Sequence, residues 1–173
     1  MQEYSSTPTN RARLPTWLKA KAPGDPNYLD IKRLVKEKNL NTVCASAHCP
    51  NIGECWGNRT ATFMILGDVC TRSCGFCAIK TGRPTWSDEK EPERVAEAIS
   101  NLDLRHAVIT SVNRDELPDG GATIFAQTIE AVNKRCPTTT VEVLIPDFQG
   151  NWKALEVVLD AGPDILNHNI ETV

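Results

Sequence analysis

From residue 61 onward the chain alternates between short apolar runs and longer stretches in which apolar residues recur every three or four positions. The run at 61–66 predicts a strand, and residues 93–104 place Val95, Ala98, Ile99 and Leu102 on one helical face behind Pro92. A second strand follows at 107–112, and a helix near 122–135 rests on Phe125, Ile129 and Val132. Residues 140–145 form a third strand, stopped by Pro146. Trp152, Leu155, Val158 and Leu159 mark another helix closed by Gly162-Pro163, and residues 164–173 read as a fourth strand. Strands and helices alternating at this spacing predict an α/β fold with parallel strands and right-handed crossovers, whose sites lie at the strand C-terminal ends. Four such strands cannot close a barrel and leave the last as an open edge, which natural sheets usually avoid. The chain is therefore expected to be a fragment, an expectation that a natural-source mass near 19.1 kDa would contradict.

Upstream the pattern changes. Residues 1–24 are rich in Pro, Thr, Ser, Asn and Arg and predict an extended arm. Its Arg11, Arg13, Lys19 and Lys21 are read as solvated, contact with an acidic partner being the alternative. Asp25-Pro26 predicts a helix start with Ile31, Leu34 and Val35 on its apolar face. Cys44, Cys49 and Cys55 then follow at C-x4-C-x5-C, where Pro50-Asn51 and Gly53 are expected to break regular structure. Two parts result: residues 1–60, carrying the arm, short helix and first cysteine group, and residues 61–173, carrying the strand–helix repeat.

Composition narrows the function. A net charge of −3, with no basic stripe among the aromatics, argues against nucleic acid as partner. No apolar run approaches the roughly 20 residues of a membrane span, and the N-terminus lacks the apolar core of a secretory signal. A reducing, cytoplasmic setting is expected, where seven cysteines point to metal rather than disulfides. Cys136, ending a helical pattern before Pro137, is read as a packing residue.

The sharpest chemistry is Cys70-Thr-Arg-Ser-Cys74-Gly-Phe-Cys77, three thiols at C-x3-C-x2-C directly after the first strand. As a helical packing stripe it would carry Gly75, at about 1 kcal/mol relative to Ala, and the weak helix formers Thr71 and Ser73. Structural zinc takes four ligands, usually as paired C-x2-4-C units, and only three are supplied. Three thiolates suit an iron–sulfur cluster with one open iron, since clusters otherwise take four cysteines. The first group likewise has three, with His48 able to complete a Cys3His zinc site or simply exposed. Two clusters, each completed by something other than cysteine, is the favoured reading. Polar residues at the ends of the other strands converge on the same rim: Ser111, Asn113, Arg114, Asp115 and Glu116 after the second, and His168, Asn169, Glu171 and Thr172 in the fourth. Asp119-Gly120-Gly121 predicts a turn and helix start.

The C-x3-C-x2-C spacing, with Phe76 before the last cysteine, resembles the signature of the radical S-adenosylmethionine (SAM) enzymes. That family binds a [4Fe-4S] cluster on the three cysteines, chelates SAM at the open iron and releases a 5′-deoxyadenosyl radical. The stretches Cys49-Pro-Asn-Ile-Gly-Glu-Cys-Trp56, Cys77-Ala-Ile-Lys-Thr-Gly-Arg-Pro84, Thr110-Ser-Val-Asn-Arg-Asp-Glu-Leu-Pro-Asp-Gly-Gly121 and His168-Asn-Ile-Glu-Thr172 resemble the lipoyl synthase family within it. The resemblance implies a partial (β/α) barrel of the radical SAM type, about its first four strand–helix units. It implies two [4Fe-4S] clusters, a SAM-binding one on Cys70, Cys74 and Cys77 and an auxiliary sulfur-donating one on Cys44, Cys49 and Cys55. The implied reaction inserts sulfur into an octanoyl chain on a lipoyl carrier domain. The implied partners are that domain, a ferredoxin or flavodoxin as electron donor, and iron–sulfur assembly proteins. Phe76 is expected near the adenine, Asn169 and Glu171 at the ribose from one side of a strand, and Ser111, Asn113 and Arg114 at the methionine end. Ordinary loop capping is the alternative for these polar residues. In the family a serine of an Arg-Ser-Ser-Tyr segment near the C-terminus completes the auxiliary cluster. That segment does not occur in these 173 residues, so incomplete ligation of this cluster is expected here. Other classes in view are a ferredoxin-like electron carrier, which would use four cysteines per cluster, a zinc-stabilised binding module, and another radical SAM sulfurtransferase.

Overall fold

The structure, a computed structural model, describes residues 23–38, 40–85 and 88–170. The N-terminal arm with Arg11, Arg13, Lys19 and Lys21 lies outside the described residues, as do Glu171 and Thr172. Helix α1 (Pro26–Glu37) starts as its sequence predicts: Asp25 is extended and accepts from the Asn27 N–H at 2.9 Å, and Pro26 occupies the first turn, where it lacks only a donor that would go unpaired. The helix buries Tyr28 and Ile31.

The cysteine segment corrects the expectation of irregular chain. Helix α2 (Val43–Ser46) is capped by Thr42, and α3 (Ile52–Gly57) runs through Gly53. The helical cost of that glycine is offset by tertiary packing, because α3 buries Trp56, 2% exposed, with its ring 5.4 Å from that of Tyr28. The Asn27 amide joins the layers, donating to the Gly57 carbonyl and accepting from Arg59.

Strand β1 (Thr60–Ile65) is followed by a loop containing two short strands, β2 (Val69–Cys70) and β3 (Lys80–Thr81), which pair in parallel. Helix α4 (Glu91–Asn101), strand β4 (His106–Ser111), helix α5 (Ala122–Arg135), strand β5 (Thr140–Ile145), helix α6 (Trp152–Asp160) and strand β6 (Ile165–His168) complete the chain order. The main sheet has the order β1-β4-β5-β6 and every pair is parallel, with Phe63 opposite Ile109, Ile109 opposite Val143 and Val143 opposite Leu166. This is the α/β parallel architecture of a partial barrel. Ala107, Ile109, Val141 and Val143 are wholly buried, as are Val95, Ala98 and Ile99 of α4 and Phe125, Ile129 and Val132 of α5, to within 2%. Residues 41 and 42 cover the free edge of β1: the Asn41 carbonyl accepts from Met64, and Thr42 forms an antiparallel bridge to Phe63.

Two elements differ from their predicted form. Helix α6 buries Ala154 and Val158, whereas Trp152 is 75% and Leu159 49% exposed, so its inner face is narrower than the apolar count implies. Strand β6 stops at His168, which puts Asn169 beyond it. No helix of the described residues is long and apolar enough to cross a membrane.

Candidate cofactor site at the strand ends

The site begins where β1 ends. Leu66, at φ 68°, and Gly67, at φ 94°, reverse the chain in left-handed conformations. The buried Glu91 carboxylate at the start of α4 accepts from the Leu66 N–H at 2.7 Å and from that of Gly67. On the other side of the peptide, Arg114 donates to the Leu66 carbonyl at 2.9 Å. Burial pushes the Glu91 carboxyl up, against the pull of those two amide hydrogen bonds. The Leu66 side chain fills the space beside Gly121, where a Cβ would lie 2.2 Å from the Leu66 Cδ1. Asp119 accepts from the Gly121 and Thr123 amides, so the expected turn and helix start are present.

Beyond this reversal the chain enters the three-cysteine loop. Cys70 is buried in β2, and its Sγ lies 3.4 Å from the Arg72 nitrogen and 3.3 Å from the Asn113 nitrogen, both donors. Cys74 and Cys77 are exposed. The loop faces a cleft of about 540 Å³ in which Cys70, Cys74, Phe76 and Cys77 meet Ser111, Asn113 and Asn169. Phe76 stands 71% exposed at its mouth, and His168 is fixed by a 2.9 Å contact between Nδ1 and the Ile145 carbonyl. The Ser111 Oγ is buried with no hydrogen-bond partner, an orphan at the end of β4 that a polar ligand in the cleft would satisfy.

The structure does not bring Arg114 to this cleft. It is 5% exposed, donates to the Leu66 carbonyl and to Glu116, and borders a separate cavity of about 250 Å³, where it supports the β1 turn. Glu171 lies outside the described residues. Sequence reasoning missed Arg72, whose guanidinium pairs with Asp115 and Asp147, and Asp147 itself. Arg72 holds the Asp115 carboxyl down at about 2 and Asp147 below its ordinary value. An arginine inside the three-cysteine loop was the one available signal, since its partners lie 43 and 75 positions away.

In the first cysteine group, Cys44 is buried and Cys49 and Cys55 are half-buried. Burial pushes the Cys55 thiol up, and charge on Cys44, Cys49 and Glu54 would push it the same way. Like charges in one place repel unless a cation joins them. The His48 ring is exposed and lies 3.3 Å from the Ser46 carbonyl through Nδ1. Among the described residues no three His, Cys, Asp or Glu side chains are gathered tightly enough to hold a metal as they stand. Thiols have no mutual attraction, and metal binding itself draws such ligands together. By donor chemistry, both groups suit an iron–sulfur cluster, and the first also suits cation binding of the zinc type. All seven cysteines are free, and Cys136 is buried with its Sγ 3.9 Å from the Ala96 carbonyl, a packing position.

A parallel α/β sheet with a three-cysteine loop after its first strand defines a class, and the family comparison agrees. The sequence model of the radical SAM superfamily matches residues 64–173, and the chain belongs to that superfamily. Residues 2–49 match the N-terminal domain of lipoyl synthase of the radical SAM family. The chain is 64% identical over 169 residues to the lipoyl synthase of Chloroflexus aggregans, covering 98% of this chain and 55% of that protein. It is 64% identical to that of Roseiflexus over 168 residues, 97% of this chain and 56% of the relative. The mitochondrial lipoyl synthase of Nematostella vectensis is 54% identical over 159 residues, 92% of this chain and 55% of the relative. The chain thus spans about half the length of the curated relatives it matches.

Proposed function

We propose that this chain carries the radical-generating half of a lipoyl synthase, which inserts sulfur into an octanoyl chain on a lipoyl carrier domain. The observation that carries the reading is the cleft at the strand ends, where three thiols of one loop share a wall with an exposed aromatic and an unsatisfied buried hydroxyl. Cys70, Cys74 and Cys77 hold the SAM-binding [4Fe-4S] cluster, and Cys44, Cys49 and Cys55 hold the auxiliary one. When bound, the first cluster supplies an electron to the sulfonium of SAM, and the second supplies sulfur. The chain's own task is binding, orientation and exclusion of water. Phe76 offers a flat apolar face at the cleft mouth for the adenine. The Ser111 hydroxyl and Asn113 give hydrogen bonds at the β4 end, and Asn169, with Glu171 beyond it, serves the ribose hydroxyls. Residues 1–60 are the auxiliary-cluster part and 61–173 the barrel part of this division. The partners that follow are an octanoylated carrier domain, a low-potential donor such as ferredoxin or flavodoxin, and iron–sulfur assembly proteins, all in the cytoplasm.

The test is anaerobic reconstitution of the product of the complete reading frame, with iron and sulfide counted before dithionite and SAM are added. Both clusters and 5′-deoxyadenosine are expected. Iron and sulfide without deoxyadenosine would place the protein among electron carriers, and zinc without sulfide among binding modules; either result sinks the reading.

A further inference from the structure

We propose that Arg72 is a positioning residue: by bridging Asp115 and Asp147 it fixes the three-cysteine loop to the ends of β4 and β5, and so sets where SAM meets that loop. The inference rests on the functional reading above and adds a residue to it. The Arg72 Nε and Nη2 donate to the two Asp115 oxygens at 2.7 Å each, while Nη1 and Nη2 donate to the Asp147 oxygens at 2.8 and 2.7 Å. Both pairs are bidentate, the geometry in which arginine is strongest and lysine cannot substitute. Four of the five guanidinium N–H groups are thereby used. Arg72 therefore acts through the loop and is not itself a ligand for an incoming carboxylate.

The loop has little else to hold it. Cys74 and Cys77 are exposed, nothing lies within 4 Å of a Cβ built on Gly75, and β2 and β3 are two residues each. Beyond the buried Cys70 and the short β2–β3 pairing at its ends, its ties are polar. The Thr71 N–H donates to the Asn113 carbonyl at 3.1 Å, and the Thr71 hydroxyl lies 3.1 Å from the Asp115 carboxylate. The Arg72 carbonyl accepts from the Thr81 hydroxyl at 3.3 Å. On the far side, Asp147 is presented by a strained turn: Phe148, Gln149 and Gly150 are consecutively left-handed, at φ 46°, 54° and 76°, and Asp147 accepts from the Gln149 N–H at 3.0 Å. Left-handed conformations in bulky residues persist where surrounding structure demands them. An isolated surface ion pair contributes little, but two bidentate pairs sharing one guanidinium form a network joining three chain segments.

Hydrogen exchange on the product of the complete reading frame, before any cluster is loaded, reads the loop directly. Arg72→Lys and Asp147→Asn are each expected to speed amide exchange across residues 71–77 by about tenfold, leaving α4 and α5 as unchanged controls of folding. After reconstitution both variants should keep the parent's iron and sulfide, while the SAM concentration that half-shifts the reduced cluster's electron paramagnetic resonance signal rises by about tenfold. Arg72→Ala combined with Asp147→Ala should exchange no faster than Arg72→Ala alone, because both remove one contact. Unchanged loop exchange in both single variants overturns the proposal, and so does unchanged SAM response despite faster exchange. A parent protein whose cluster signal ignores SAM counts against the functional reading alone; the exchange result then still decides whether Arg72 fixes the loop.

Discussion

Leu66 is held in the left-handed region from three directions: Glu91 takes its N–H, Arg114 its carbonyl, and the absence of a side chain at Gly121 leaves room for its own. Gly121→Ala would put a Cβ against the Leu66 methyl while strained at φ 92°. A loss of about 2–4 kcal/mol is expected from overpacking plus backbone strain. Gly150→Ala is the comparison, since φ is 76° but nothing lies within 4 Å, and backbone strain alone costs about 1 kcal/mol. Urea denaturation of both checks the difference, and equal losses would contradict the role assigned to the Leu66 contact. Glu91 makes a pH prediction. Its carboxyl is raised from 4.5 by burial, so the folded state holds that proton more tightly than the unfolded state. Stability from this group is present below 4.5 and is lost as pH rises through the raised folded value. Glu91→Gln keeps an acceptor and removes the titration. The denaturation midpoint of the parent should therefore fall relative to the Gln variant as pH climbs above 4.5, and a constant difference would argue against burial as the cause.

At the scale of elements, α6 separates what pattern shows from what packing decides. Its apolar residues cover more than one face, and Val158 is wholly buried while Trp152 is 75% exposed. Val158→Ala is expected to cost about 2 kcal/mol, through lost burial and a cavity, and Trp152→Ala less than about 0.5 kcal/mol. Thermal unfolding of the pair checks this, and a larger loss for Trp152 would show that the helix turns its other side inward. The other repeat elements were legible because their periodicity is unambiguous: Val95, Ala98 and Ile99 mark one face of α4, and Pro146 limits β5. The helices α2 and α3 were not: α2 is only four residues long, and in α3, where Pro50 and Gly53 argue locally for loop, the packing of Trp56 on Tyr28 favours the helix. Of the residues that line the strand-end cleft, Cys70, Cys74, Phe76, Cys77, Ser111, Asn113 and Asn169 could be placed there from the strand order. Arg72 could not, because its two carboxylates come from later strands, nor could the turning of Arg114 toward Leu66.

Over the whole molecule, the two cysteine groups flank one strand. Residues 41 and 42, just before Cys44, bind the edge of β1 at Met64 and Phe63, and the loop with Cys70, Cys74 and Cys77 begins at its C-terminal end. The chain thereby ties the segment proposed for sulfur donation to the strand that introduces the segment proposed for radical formation. Under the proposed function these two tasks are separate. The most direct measurement compares Cys44→Ala with the parent, both reconstituted as the product of the complete reading frame, scoring 5′-deoxyadenosine and sulfur inserted into an octanoylated carrier domain in one reaction. Deoxyadenosine formation should persist in Cys44→Ala while sulfur insertion stops, and loss of both products, or retention of both, would contradict the account.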